Sequence, residues 1–157
     1  MKLEKWALIA EITSGAAIVA TLVFLIVEIR GNSAAVRATA LTSISERTQT
    51  LIWNNISNPI VLDAYSKEAR GDALSTTDEF VLSQALGARM KLAEESYIAF
   101  RDGHLEEEIW LTRAELALDL LASEQNRRRW ADRRESGWYL QDFVEFVDDE
   151  LSTRYGE

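Results

Sequence analysis

The sequence predicts an all-α protein in which an N-terminal transmembrane helix, able to continue as a long helix, is followed by a small antiparallel helical bundle. Three observations predict this fold. Residues 12–27 contain sixteen consecutive uncharged positions, most of them apolar. Beyond them, apolar residues recur three and four positions apart, which is the period of a helix with one buried face. No stretch alternates convincingly between apolar and polar side chains, as a half-buried strand would.

Residues 1–31 form the predicted membrane anchor, and residues 32–157 form the predicted soluble domain. As a helix rising about 1.5 Å per residue, residues 6–29 would extend roughly 36 Å, which exceeds a hydrocarbon core of about 30 Å. Glu11 and Glu28 would lie about 25 Å apart, near the two edges of that core, where carboxylates are tolerated. A carboxylate placed inside a proton or ion path is the alternative interpretation.

A cleavable signal peptide is a second interpretation of the same segment. Lys2 and Lys5 precede the apolar run, and Ser33-Ala34-Ala35 offers small residues for cleavage. We favour a retained anchor because the run is longer than the usual apolar region of a signal peptide. Glu28 and Arg30 also intervene before any cleavage site.

The distribution of basic residues favours one orientation. Arg30, Arg37 and Arg47 follow the apolar run, whereas Lys2 and Lys5 precede it. By the positive-inside rule, the side with more basic residues faces the cytoplasm. We therefore expect a single-pass membrane protein with a cytoplasmic C-terminal domain.

One face of the anchor is small enough for close approach by another helix. Its members are spaced four, three and four positions apart: Ala10, Ser14, Ala17 and Thr21. Small residues at such spacing allow helix backbones to approach in lipid, so we expect self-association. The competing explanation is that small residues are common in membrane spans. A pore of several anchors, with Glu28 or Thr21 facing its lumen, is a third hypothesis.

The soluble part begins as a continuation of the anchor helix. Its apolar residues Ala34, Ala38, Leu41, Ile44 and Leu51 keep a spacing of three and four with one wider step, and Ile52 adjoins the last of them. Such a face suits a partner helix. Residues 34–52 and the anchor are therefore the predicted surface of a homo-oligomer.

Two sets of turn signals follow. Asn58-Pro59 predicts a break and then a helix over Pro59–Arg70, which the next glycine ends. Thr76 and Glu79 have the spacing of a capping box, which predicts a new helix from near Thr77.

Apolar stripes define the remaining helices. The helix from near residue 77 carries the clearest core stripe, namely Leu82, Leu86, Met90, Ala93, Tyr97 and Phe100. A helix over residues 106–122 carries a broad apolar face, namely Ile109, Trp110, Ala114, Ala117, Leu118 and Leu121. Ser123 is predicted to cap a helix that ends at Arg134. After Gly137, a last helix carries Leu140, Phe143, Val144, Val147 and Leu151.

Composition excludes several classes of function. The formal net charge is −9, and the first thirty residues carry three basic and three acidic side chains, so the soluble part holds the acidic excess. Phosphate backbones would repel such a domain, and nucleic-acid binding is not expected. The chain has no cysteine, which excludes disulfides, thiolate nucleophiles and cysteine-ligated metals.

Short motifs along most of the chain occur in a recognisable order. They are Trp6-Ala7-Leu8-Ile9-Ala10-Glu11-Ile12, Gly15-Ala16, Glu28-Ile29-Arg30-Gly31-Asn32, Ala35-Val36-Arg37-Ala38, Glu95-Ser96-Tyr97, Phe100-Arg101-Asp102-Gly103, Leu105, Trp110 and Trp130 with its neighbouring arginines. With these motifs the chain resembles a bacterial family of small membrane-anchored proteins of unknown function. Thr13-Ser14 and Glu28 depart from the common pattern. The resemblance implies one N-terminal helix, located in the bacterial inner membrane, and a helical domain, and it implies no activity.

An arginine cluster is the strongest local anomaly of charge. Its members, which are the predicted lipid or partner contacts, are Arg127, Arg128, Arg129, Arg133 and Arg134 together with Trp130. One hypothesis is attraction to anionic lipid headgroups, with the tryptophan at the interface. The favoured explanation is pairing within the chain, with Glu124, Asp132, Glu135 or the acidic run at residues 148–150, and with Trp130 in the core.

His104 raises a metal hypothesis. It precedes Glu108 by four positions, a spacing that could share a metal on one helix face, and Glu94, Glu95, Glu106 and Glu107 are near in sequence. It is the only histidine, and the repeated Glu-x-x-His of a di-metal bundle does not occur. Acidic residues that favour a helix start explain the pattern better.

The functional prediction is a membrane-anchored interaction or scaffold module that self-associates. No nucleophile elbow, phosphate loop or zincin motif occurs, so we predict no catalytic, cofactor or metal residue and lean against an enzyme. The alternative is a membrane-bound helical enzyme or metal-binding sensor that uses carboxylates near His104. The lipid bilayer and a second copy of the chain are the expected partners.

Overall fold

A computed structural model describes residues 2–156, with the backbone alone at residues 2–4, 7–10 and 12. Within residues 2–156 the chain forms six α-helices and no strand. They are α1 (Lys2–Ser57), α2 (Pro59–Arg70), α3 (Thr76–Arg101), α4 (Glu107–Leu120), α5 (Glu124–Arg134) and α6 (Gln141–Tyr155). The predicted all-α fold is confirmed, and so is the continuation of the apolar segment into a long helix. The chain divides after Thr39 into two compact units.

The first unit is the apolar part of α1. Every side chain that the structure describes between Lys5 and Thr39 is exposed, and Ile18, Phe24 and Ile29 are each more than 60% exposed. The Thr21 hydroxyl donates to the Ala17 carbonyl oxygen at 2.9 Å, so this polar group is satisfied within the helix. Among the described residues, α1 is the one helix that is long and apolar enough to cross a membrane.

In the second unit, α2 begins and ends at the predicted residues. The Asn58 side chain accepts a hydrogen bond from the Ile60 N–H at 3.0 Å, and Pro59 occupies the first turn. Gly71 adopts φ +72° at the other end, and its N–H donates to the Glu68 carbonyl oxygen at 3.0 Å. A left-handed residue after the last turn favours glycine. Local chemistry is sufficient to define this helix.

The start of α3 uses a different capping box from the predicted one. The Ser75 hydroxyl accepts from the Asp78 N–H at 3.2 Å, and the Asp78 carboxylate accepts from the Ser75 N–H at 2.9 Å. The predicted pair, Thr76 and Glu79, has the same spacing but lies one residue later. Asp78 also forms an ion pair with Lys67 of α2 at 3.1 Å, whereas Glu79 pairs with α5. Contacts between helices therefore select one of two similar local signals.

The core of the second unit lies between α3, α4, α5 and α6. It confirms the predicted stripe of α3, in which Leu82, Leu86, Met90 and Ala93 are buried while Tyr97 and Phe100 pack against the core. Residues 102–106 reverse the chain, so that Tyr97 meets Trp110 of α4 with ring centroids 5.4 Å apart. Trp130 of α5 packs against Tyr139 at 5.0 Å. Edge-on and tilted aromatic contacts of this kind stabilise a core beyond the area they bury.

Two predicted helix boundaries change in the structure. α4 ends at Leu120, two residues before the predicted end, because Ser123 needs an extended backbone to cap α5 with its hydroxyl on the Asn126 N–H at 3.2 Å. α6 begins at Gln141, so Leu140 precedes the helix and is exposed rather than part of the core. The other four residues of that predicted stripe are buried: Phe143, Val144, Val147 and Leu151.

Candidate functional site

A cavity of about 300 Å³ lies between α1, α3 and α4, entirely within the second unit. Each helix contributes residues three and four positions apart, which places them on one face. The lining consists of Thr48, Leu51 and Ile52 of α1, Arg89, Leu92, Ala93 and Ser96 of α3, and Arg113, Leu116, Ala117 and Leu120 of α4. Its volume is at the lower end of the range typical of small-molecule sites.

The cavity is apolar but carries positive charge. Its lining holds two guanidinium groups and no carboxylate. Burial lowers the pKa of Arg113, and its closest polar partner is the Ser45 hydroxyl, 3.5 Å from Nη2. Arg89 lies over the ring of Tyr65, with its guanidinium carbon 5.7 Å from the ring centroid. Among the described residues, neither arginine forms an ion pair with a carboxylate. This is unusual in a chain whose acidic residues outnumber its basic ones, with a net charge of −9.

The two hydroxyls of the lining are already satisfied. Thr48 donates to the Ile44 carbonyl oxygen at 2.8 Å, and Ser96 donates to the Leu92 carbonyl oxygen at 2.9 Å. Each can still accept a hydrogen bond through its oxygen. The chemistry available is therefore binding of an anion that has an apolar body. Among the described residues that line this cavity, no nucleophile has an activating base beside it.

The predicted arginine cluster is distributed over several partners within the chain. Arg129 is buried and pairs with Glu68 of α2 at 2.6 Å and Glu79 of α3 at 2.9 Å. These hydrogen bonds oppose desolvation and raise the pKa of Arg129. Trp130 is 1% exposed, and its indole N–H donates to Asp148 at 3.3 Å. Pairing within the chain accounts for these residues, and both belong to the domain's interior.

The other four arginines lie nearer the surface. Arg128 pairs with Glu124, Arg134 pairs with Asp148 at 2.7 Å, and Arg133 donates to the Ser83 hydroxyl at 3.0 Å. Arg127 donates to the carbonyl oxygens of residues 121 and 122 and lies 4.5 Å from the Tyr155 ring centroid. Contact of these four with lipid or a partner stays a prediction.

The acidic residues near His104 do not converge. Glu94 is buried and accepts from the Leu140 N–H at 2.5 Å, while Lys91 contacts its other oxygen. Glu95 pairs with Arg47 of α1 at 2.7 Å and shares an open surface depression with His104. Among residues that the structure describes, no group of three histidine or acidic side chains could hold a metal ion. Glu94 instead anchors the chain before α6.

The small-residue face belongs to the first unit. Ser14, Ala17 and Thr21 are exposed along α1, and the Ala10 side chain lies outside the part that the structure describes. Farther along α1, Ile44 is buried and Leu41 packs against the core of the second unit. Those two residues of the predicted 34–52 surface therefore contact the chain's own domain, while residues 34–38 are exposed.

Comparisons of the chain with protein-family models, with curated proteins and with solved structures found no match.

Sequence reasoning missed the cavity and its arginines. A signal was present, because Arg113 precedes Leu116, Ala117 and Leu120 by three, four and seven positions and so lies on an apolar face of α4. Among the arginines, the sequence predicted contacts only at the denser group of residues 127–134. An isolated cation on an apolar face can be recognised in a sequence, but the helices that enclose it cannot.

Proposed function

We propose that the chain is a single-pass protein of the bacterial inner membrane whose helical domain is a cytoplasmic interaction module that self-associates through its anchor. The observation that carries this proposal is the apolar segment of α1. Its described side chains are exposed from residue 13 to residue 29, although residues of the same type are buried in the second unit. Such a helix is stable in a solvent as apolar as itself, which a bilayer supplies.

The small-residue face supports self-association. Ser14, Ala17 and Thr21 are exposed on one face, and close approach of backbones at such residues is a major source of helix association in lipid. Farther along α1, residues 34–38 are also exposed and include three alanines. The bundle would then be presented to partners as a dimer or larger assembly.

Disulfide trapping in native membranes tests self-association directly, because the chain has no cysteine of its own. Ser14→Cys, Ala17→Cys and Thr21→Cys are expected to form crosslinked dimers under mild oxidation. Val19→Cys is the matched control, since at 100° per residue it lies on the opposite helix face. Equal crosslinking at all four positions would indicate collision without a specific interface. Absence of crosslinking at all four would refute self-association through the anchor.

Attachment and orientation need a separate measurement. Alkaline carbonate should leave the full-length chain in the membrane pellet, and recovery in the supernatant would overturn the anchor. Ser152→Cys places a thiol on an exposed position of α6. A membrane-impermeant maleimide should label it only after spheroplasts are lysed. Labelling of intact spheroplasts would place the domain on the other side of the membrane.

A further inference from the structure

The strongest unassigned feature of the molecule is the cavity between α1, α3 and α4. It combines an apolar interior with a guanidinium group that burial has partly desolvated. A cation removed from water without a carboxylate partner is costly, and proteins normally compensate such a group with a charge or strong hydrogen bonds. The 3.5 Å contact of Arg113 with the Ser45 hydroxyl is too long to compensate it fully.

Apart from Arg89, the polar and apolar side chains of the cavity lie at different ends. Residues 102–106 reverse the chain and Tyr97 contacts Trp110, so we infer from the antiparallel register that Arg113 is near the level of Ser96, at the end of the cavity nearer the reversal. Leu120 is seven residues farther along α4, about 10 Å away along the helix axis. Leu51 and Leu92 also line the wall. A ligand with an anionic head and an apolar tail matches this arrangement.

Arg89 bounds the far end but is less suited to bind the head. Its guanidinium lies over the face of Tyr65, which already provides a favourable cation–π contact. Among the residues that the structure describes, Arg113 has only the Ser45 hydroxyl as a hydrogen-bond partner, and a planar guanidinium can bind a carboxylate through two parallel hydrogen bonds. The volume of about 300 Å³ suits one hydrocarbon chain rather than the two chains of a phospholipid.

We propose that this cavity binds a medium-chain carboxylate, with the Arg113 guanidinium holding the carboxylate and the apolar walls of α1, α3 and α4 surrounding the hydrocarbon chain. Charge complementarity selects the head, because the lining carries two cations and no anion. An acidic protein would repel such a ligand elsewhere on its surface, so the site is electrostatically distinct. The proposal does not depend on self-association of the anchor.

Photolabelling of the full chain tests the proposal. The protein is placed in phosphatidylcholine nanodiscs with a decanoic acid probe that carries a diazirine near its methyl end, and labelled peptides are quantified by mass spectrometry. Labelling is expected on peptides that contain Leu51, Leu92 or Leu120. Labelling of residues 12–27 from the bilayer serves as an internal reference for probe concentration.

Arg113→Gln should lower cavity labelling relative to the anchor reference by about tenfold or more, as expected for loss of hydrogen bonds to a charged group. Arg113→Lys should restore part of it, and Arg101→Gln, an exposed arginine outside the cavity, should leave it unchanged. Circular dichroism verifies that each variant is folded. The corresponding alcohol probe should label the cavity about tenfold less than the acid.

Two outcomes would overturn the proposal. Equal labelling by acid and alcohol, insensitive to Arg113→Gln, would show an apolar cavity without carboxylate recognition. Labelling confined to the anchor in the unmodified chain would show that the cavity takes no such ligand.

Discussion

The apolar segment of α1 and the core helix α3 are both rich in aliphatic side chains, yet these side chains are exposed in α1 and partly buried in α3. In α3 the apolar residues follow one stripe, so Leu82 is buried while Phe80, two positions earlier, is exposed. In α1 the described apolar residues between 13 and 29 surround the helix and are exposed on every side. A stripe can be covered by neighbouring helices, whereas a helix that is apolar all round needs an apolar solvent. Pattern, more than hydrophobicity, distinguishes the two regions.

The largest expected effect is in the core. Trp130→Ala should lower the free energy of unfolding by about 3–5 kcal/mol, because a fully buried indole leaves a cavity that neighbours only partly refill. Chemical denaturation of the full chain in detergent, monitored by circular dichroism, measures this change in the free energy of unfolding. Trp138, which is exposed, is the matched control, and Trp138→Ala should change stability by no more than about 0.5 kcal/mol. Equal effects would contradict the assignment of Trp130 to the core.

The next effect tests the anchor. Leu22→Arg places a charge near the centre of the apolar segment and should raise the apparent free energy of membrane insertion by about 2.5–3.5 kcal/mol. A glycosylation-mapping insertion assay measures the inserted fraction. Ile60→Arg in α2 replaces an equally exposed aliphatic residue of the second unit and should leave insertion unchanged. A similar loss in both variants would mean that exposure alone fails to identify the span.

A smaller effect separates buried from exposed arginines. Arg129→Ala should lower the free energy of unfolding by about 1–3 kcal/mol, because it removes hydrogen bonds to Glu68 and Glu79. Both carboxylates are partly accessible to water, which limits the cost of leaving them unpaired. Arg128→Ala removes an exposed pair one position earlier and should cost at most about 0.5 kcal/mol. Denaturation midpoints of the two variants give the comparison. Indistinguishable midpoints would argue against the buried network.

The smallest effect is the acid dependence of the α3 cap. Hydrogen bonds from Ser75, together with the Lys67 ammonium, lower the pKa of Asp78 below its ordinary value. Since the folded-state pKa is the lower one, the stabilisation is complete above the unfolded pKa of about 3.9 and is lost as pH falls through the folded value.

Ser75→Ala should therefore cost about 1 kcal/mol at neutral pH. It should also weaken the loss of stability on acidification below about pH 4, because less of the pKa shift of Asp78 remains. Stability measured against pH for the unmodified chain and the variant tests this. Ser152→Ala, at an exposed position of α6, is the control and should alter neither quantity. Parallel pH profiles for the unmodified chain and Ser75→Ala would exclude a role for the cap.

Local sequence signals were sufficient to predict the ends of a helix where only one set of capping residues was present. Asn58-Pro59 and Gly71 define α2 to the residue, because a capping amide, a proline in the first turn and a left-handed glycine each act within a few residues. At α3 two capping boxes overlap, and the pairing of Asp78 with α2 selects Ser75 over Thr76. The chain's own local preferences are nearly equal there, so contacts from another helix decide.

The sequence by itself determined the all-α class, the apolar segment and the core stripe of α3, because helix periodicity and the length of an apolar run are properties of neighbouring residues. Only the tertiary structure decided that Ile44 contacts the chain's own domain, that Arg129 is buried between α2 and α3, and that Arg113 lines a cavity. These facts depend on which helices meet, and periodicity carries no information about the partner that a given face will contact.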